Sequence, residues 1–148
     1  LDLPLDAHLP PEYVAGEEQR LEAYRRLAAV TTQAEVDDVR VEWLDRYGPP
    51  PEPAEALLAV ARLRAECART GVREVTVAKG VARVSPLRLR TSAQIRLRRV
   101  AKSAVYKEDL AQLVLPVPPR ADPTEAVIAL LRELVPAEPR ASVASTAS

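Results

Sequence analysis

Between Glu17 and Val30 the apolar residues Leu21, Tyr24, Leu27 and Ala28 recur at three- and four-residue steps, so a first helix is expected there with these side chains inward. Thr32 lies three positions before Glu35, the capping-box spacing in which hydroxyl and carboxylate each satisfy a free backbone donor, and this predicts the start of a second helix. Its buried stripe reads Val36, Val39, Trp43 and Tyr47, and Gly48 followed by three prolines ends it. Pro53 suits the first turn of a third helix. The wide stripe of that helix comprises Ala54, Leu57, Leu58, Ala61, Ala65 and Ala68, broadened by Val60 and Leu63, and runs to Gly71. Beyond Gly71 the period changes. Val72–Val77 and Val81–Val84 are β-branched runs separated by Ala-Lys-Gly, which predicts a hairpin. Thr91 or Ser92 is expected to cap a short basic helix reaching Val100. Val105-Tyr106 and Leu110–Val117 read as two strands around a turn at 107–109, and Pro123–Leu134 as a last helix carrying Val127, Leu130, Leu131 and Leu134 on one side.

Helices first, a small and mainly antiparallel sheet next, and a closing helix make an α+β fold. The expected organisation is an extended arm over residues 1–10, where apolar and acidic residues alternate ahead of Pro10-Pro11, then a single domain over 11–136. Residues 137–148, small and polar with nothing to bury, are expected to form a disordered tail. The chain begins Leu-Asp-Leu-Pro, without an initiator Met, and reads as part of something longer.

Composition narrows the chemistry. With 47% apolar residues but no Phe, no Met and one Trp, the core must be built from Leu, Val and Ala, and stacking platforms for bases are scarce. One Cys and one His supply neither an internal disulfide nor a structural zinc site, so no metal is expected and a reducing cytoplasm is the natural setting. Four glycines, at 16, 48, 71 and 80, build no phosphate-cradling loop, and no cofactor or catalytic residue is expected. His8 reads as an exposed polar residue and Cys67 as a small side chain filling a helix interface. The adjacent carboxylates Glu17-Glu18 and Asp37-Asp38 point about 100° apart on a helix and cannot share a site.

Net charge is zero but unevenly spread. Residues 1–55 hold 13 acids and 5 bases, whereas 56–107 hold 2 acids and 13 bases. Arg83, Arg88, Arg90, Arg96, Arg98, Arg99, Lys102 and Lys107 form a basic segment that can neutralise phosphates, and an accessory nucleic-acid-binding role for region 83–107 is the alternative functional reading.

Glu42, Asp45 and Arg46 carry the first reading. Positions i, i+3 and i+4 share one sector of a helix, here beside the Trp43 stripe, with Asp38 extending the sector and Val41 facing outward. An internal Glu42–Arg46 pair on a solvated face is worth only a few tenths of a kcal/mol. Asp45 stands near a helix C-terminus, where the helix dipole disfavours a carboxylate, which points to a partner supplying positive charge.

Three segments in fixed order carry a resemblance: Arg20–Ala28, Val41–Gly48, and Pro53 with Leu57–Arg64. An acidic-apolar-apolar-Asp-Arg-aromatic-Gly helix end (Glu42 to Gly48, Tyr47 as the aromatic), a Pro-rich turn and an apolar helix resemble the C-terminal domain of the bacterial transcription-repair coupling factors (Mfd). The likeness is strong over residues 9–72. It implies a non-catalytic regulatory domain of a cytoplasmic ATP-dependent DNA translocase that displaces stalled RNA polymerase and recruits UvrA for nucleotide excision repair. In that family the domain packs on the UvrB-like N-terminal module of the same protein and masks its UvrA-binding surface, an autoinhibition that competes with UvrA. The contact residues of the family carry over to Glu42, Asp45 and Arg46. Val41 and Trp43 depart from the commonest residues at their positions, which leaves the apolar part of the contact open.

Overall fold

A computed structural model describes residues 1–136; the tail expected over 137–148 lies outside the described residues. Three helices come first, α1 (Glu17–Ala28), α2 (Gln33–Tyr47) and α3 (Glu52–Thr70). The hairpin β1 (Glu74–Ala78) and β2 (Val81–Ser85) follows, then α4 (Thr91–Val100), β3 (Val105–Lys107), a 3₁₀ turn at Glu108–Leu110, β4 (Gln112–Pro116) and α5 (Pro123–Leu134). The four strands form one antiparallel sheet in the order β1-β2-β4-β3. The fold is α+β.

Two apolar clusters share α3. Its first half gives Ala54, Leu58 and Ala61 to a helical cluster completed by Leu9, Val14, Ala23, Leu27, Val30, Val36, Val39 and Trp43. Its second half gives Leu63 and Cys67 to a cluster between the sheet and α5, where Val75, Val84, Leu113, Val127 and Leu131 are buried. At 19 residues and about 1.5 Å per residue, α3 is roughly 28 Å long, enough to serve both.

Helix starts and turns follow local chemistry. The Thr32–Glu35 capping box is formed, Asp122 caps α5 by accepting from the Thr124 N–H at 2.9 Å, and Lys79-Gly80 close the hairpin with both φ angles positive. Asp2 extends the sheet beyond β1 by a parallel bridge to Thr76, with its N–H bonded to the Val75 carbonyl at 2.8 Å.

Four expectations are corrected. The inward face of α1 is Ala23 and Leu27, with Val30 just beyond, while Leu21, Tyr24 and Ala28 are exposed, because α1 sets a small side chain close against its neighbours. Ala68 is exposed and Cys67 takes its inward place on α3. Neither Thr91 nor Ser92 caps α4; Arg90 stands at the cap position without a side-chain bond, and the Gln94 side-chain amide donates back to the Leu89 carbonyl. The last strand starts at Gln112, since Ala111 turns through a left-handed φ of 49° and leaves Leu110 outside.

Candidate protein-interaction site

The second helix is fixed at both ends, and this positions the candidate residues. At its start the Glu35 carboxylate accepts from the Thr31 N–H at 2.8 Å and the Thr32 N–H at 3.1 Å, while the Thr32 hydroxyl accepts from the Glu35 N–H at 3.2 Å. The Thr31 N–H is the main reason the Glu35 carboxyl titrates below its usual range. At the far end the Tyr13 hydroxyl donates to the Gly48 carbonyl at 2.8 Å, and the Tyr13 ring meets Tyr47 edge-on at 5.6 Å between centroids. Burial raises the Tyr13 phenol above its ordinary value, which keeps it a hydrogen-bond donor. Arg40 holds Glu55 through two bonds of 3.1 and 2.6 Å and Asp37 pairs with Arg62, so α2 is also tied to α3. The Arg40 guanidinium keeps the Glu55 carboxyl below the usual range.

Within this frame Trp43 is buried at 1% exposure, and the neighbouring side chains flank it outside. The structure brings Glu42 and Arg46 together on the α1 side of α2. Glu42 Oε2 stands 3.7 Å from Arg46 Nη1, and Glu42 Oε1 stands 3.5 Å from Arg26 Nε on α1. Both separations exceed the roughly 2.7–2.9 Å of a tight charge-assisted bond, so these partners can be exchanged at little cost. Arg46 also lies 5.4 Å from the Tyr47 ring centroid. Asp45 is exposed and makes no ion pair among the described residues. Between α1 and α2 the surface dips into a groove of about 250 Å³ lined by Ala23, Arg26, Glu42, Trp43, Arg46 and Tyr47.

Ionised carboxylates that only accept, and a guanidinium with five donors, suit recognition of a charged protein surface. Val41 (64% exposed) and Leu44 (43%) stand on the outward side of the same helix and supply apolar area next to the charges. Trp43 does not, being part of the core. Arg26 was missed by sequence reasoning. It falls among the arginines at the end of α1, and only the crossing of α1 and α2 sets it beside Glu42.

The other sequence candidates lie elsewhere. His8 is half-buried in the arm beside Asp6, 3.2 Å away. Cys67 is buried, and burial pushes its thiol up to about 11, opposite to what an activated nucleophile needs. All eight cations of region 83–107 are exposed, and among the described residues only Arg96 is paired, with Glu133 at 2.9 Å. Among the described residues no three His, Cys, Asp or Glu side chains gather as a metal site, and no helix is long and apolar enough to cross a membrane.

The sequence profile of the family described as the TRCF domain matches residues 3–103. A transcription-repair-coupling factor of Mycobacterium tuberculosis is 50% identical over 119 residues, which cover 80% of this chain and 10% of that protein. The factor of Escherichia coli is 35% identical over 75 residues, or 51% of this chain and 6% of that protein. The chain therefore spans about a tenth or less of the length of these relatives. Among solved structures, the C-terminal domain of a transcription-repair coupling factor superposes with a TM-score of 0.74 at 18% identity, covering 90% of this chain and 87% of the other.

Proposed function

The chain belongs to the transcription-repair coupling factor family, as its C-terminal TRCF domain and not the catalytic motor, and from that premise we propose that it is a non-catalytic regulatory clamp. It binds the UvrB-like N-terminal module of its own protein in the cytoplasm and masks the surface that UvrA would occupy. The parent is an ATP-dependent translocase that acts on DNA and RNA polymerase in transcription-coupled repair.

The observation that carries the reading is the outward end of α2. Glu42 is held by loose pairs to Arg26 and Arg46, and Asp45 makes no ion pair among the described residues although it lies in the last turn, where the dipole opposes it. A partner arginine would relieve that disfavoured charge and compete with Arg26 for Glu42, while Arg46 reaches a partner carboxylate. Val41 and Leu44 add the apolar contact that the buried Trp43 cannot.

The test uses the full-length parent carrying Glu42→Ala, Asp45→Ala and Arg46→Ala. Exposed positions with weak pairs shift domain stability by no more than about 1 kcal/mol. Removing one side of desolvated charge pairs costs on the order of 2–5 kcal/mol of interface energy, enough to open a clamp. UvrA affinity and ATP turnover should rise together, as they should when the whole domain is deleted. Unchanged UvrA affinity in the deletion would overturn the clamp; a released deletion with a closed triple variant would move the contact elsewhere on the domain.

A further inference from the structure

The segment that joins β2 to α4 alternates in burial: Leu87 and Leu89 are buried, while Arg88 and Arg90 are exposed. Its backbone is held in place. The Tyr106 hydroxyl donates to the Leu87 carbonyl at 2.8 Å and accepts from the Leu89 N–H at 3.1 Å, and the Gln94 side-chain amide donates to the Leu89 carbonyl at 3.1 Å. Where α4 packs on α5, this segment borders a groove of about 680 Å³. Arg88 and Arg90 line that groove together with Arg96 of α4 and Arg132 from the last turn of α5. Glu133 is the one acid among the described residues that line it. Leu89, Ala93, Leu134 and Val135, all buried or half-buried, supply its apolar lining.

Glu133 neutralises Arg96 at 2.9 Å, whereas Arg88, Arg90 and Arg132 make no ion pair among the described residues. Three uncompensated guanidinium groups therefore stand around one groove, beside apolar surface. Its cations are all Arg, whose planar fork matches a carboxylate through two parallel bonds. The volume lies within the roughly 300–1,000 Å³ of sites that enclose a ligand. A polyanion without apolar groups would leave the aliphatic lining unused and would be repelled by Glu133. The bases of a single strand need aromatic platforms, and among the described residues no aromatic side chain lines the groove. A peptide that carries both carboxylates and aliphatic side chains complements both parts. The chain's own residues 137–148 hold one Glu and one Arg, so they do not supply that complement.

We propose that the groove between the segment before α4, α4 itself and α5 binds a short acidic segment of a partner protein, with carboxylates on Arg88, Arg90 and Arg132 and aliphatic side chains against Leu89, Ala93 and Leu134. The site is separate from the outward end of α2 and does not depend on the clamp. The probe is a fluorescein-labelled hexapeptide of alternating Glu and Leu, titrated into the whole chain and followed by anisotropy and by heteronuclear NMR. Amide shifts should cluster at residues 88–96 and 132–135, and binding should weaken between 50 and 200 mM salt, as salt screens exposed pairs. An exposed ion pair changes affinity by about 1.4- to 5-fold, so Arg88→Ala with Arg90→Ala and Arg132→Ala should weaken binding by roughly tenfold. Being exposed, these three substitutions should leave the circular-dichroism melt nearly unchanged. Glu133→Gln frees Arg96 and should tighten binding by about 1.4- to 5-fold. An alternating Gln and Leu peptide should bind far more weakly, and hexaglutamate more weakly than the Glu and Leu probe. The proposal is overturned by no binding of the probe at millimolar concentration in 50 mM salt, by shifts that map elsewhere, or by an affinity indifferent to the three alanines. Hexaglutamate or a DNA duplex binding the groove as tightly as the probe would equally overturn it, by making the contact one with any polyanion.

Discussion

Replacing Trp43 by alanine separates core from interface at a position set between candidate contact residues. Trp43 is 1% exposed and packs with Val36, Val39, Ala23 and Leu27 in the helical cluster. A large aromatic side chain buries about 150–250 Å², and at about 25 cal/mol per Å² its removal forfeits up to about 4–6 kcal/mol. Large-to-small core changes of this kind cost about 3–5 kcal/mol. Against a total stability of about 5–15 kcal/mol the variant remains folded but is severely weakened. Urea unfolding followed by far-ultraviolet circular dichroism, which does not need the lost indole, is the assay. With a urea slope of about 2 kcal/mol per molar, the midpoint should fall by about 2 M. Val41→Ala, two residues away on the outward side, should move it by no more than about 0.25 M. If Trp43→Ala shifts the midpoint as little as Val41→Ala does, Trp43 is not the keystone of the helical cluster, and its assignment to the core instead of the partner surface fails.

Two further outcomes follow from titrations. With its thiol raised to about 11 by burial, Cys67 is only about one part in a thousand thiolate at pH 8, so dithionitrobenzoate should leave the folded chain almost untouched and titrate one thiol in denaturant; fast native labelling would refute its buried placement. The Glu35 carboxyl is held below its usual 4.5, chiefly by the Thr31 N–H, so its stabilisation is full above about pH 4.5 and is lost as pH falls through the lower folded-state value. The gap in thermal melts between Glu35→Gln and the parent chain should therefore be full at pH 6 and narrow as the pH is lowered below 4.5, and a gap independent of pH would count against the capping carboxylate.

How far the sequence alone determined this protein depends on the range of the interactions involved. The start and end of α2, the Lys79-Gly80 hairpin and all of α5 were legible, because a capping box, a β-turn and a helical stripe act over four residues or fewer and leave their spacing in the chain. The sector Glu42, Asp45 and Arg46 was legible for the same reason, since i, i+3 and i+4 neighbours are fixed by helix geometry alone. What the tertiary structure decided were contacts between elements distant in sequence. The inward face of α1 is Ala23 and not Leu21 or Tyr24, because the close approach of its neighbours, not side-chain hydropathy, selected the face. Arg26 reaches Glu42 only because of the angle at which α1 crosses α2. Cys67 and Ala68 are adjacent small residues, and only the two-sided packing of α3 determines which of them turns inward. The insertion of β4 between β2 and β3, which sets Arg83 on one face with Lys107, has no local signature, since strand order is fixed by burial of Leu113 and Leu115 under α5 and not by any turn that the sequence encodes.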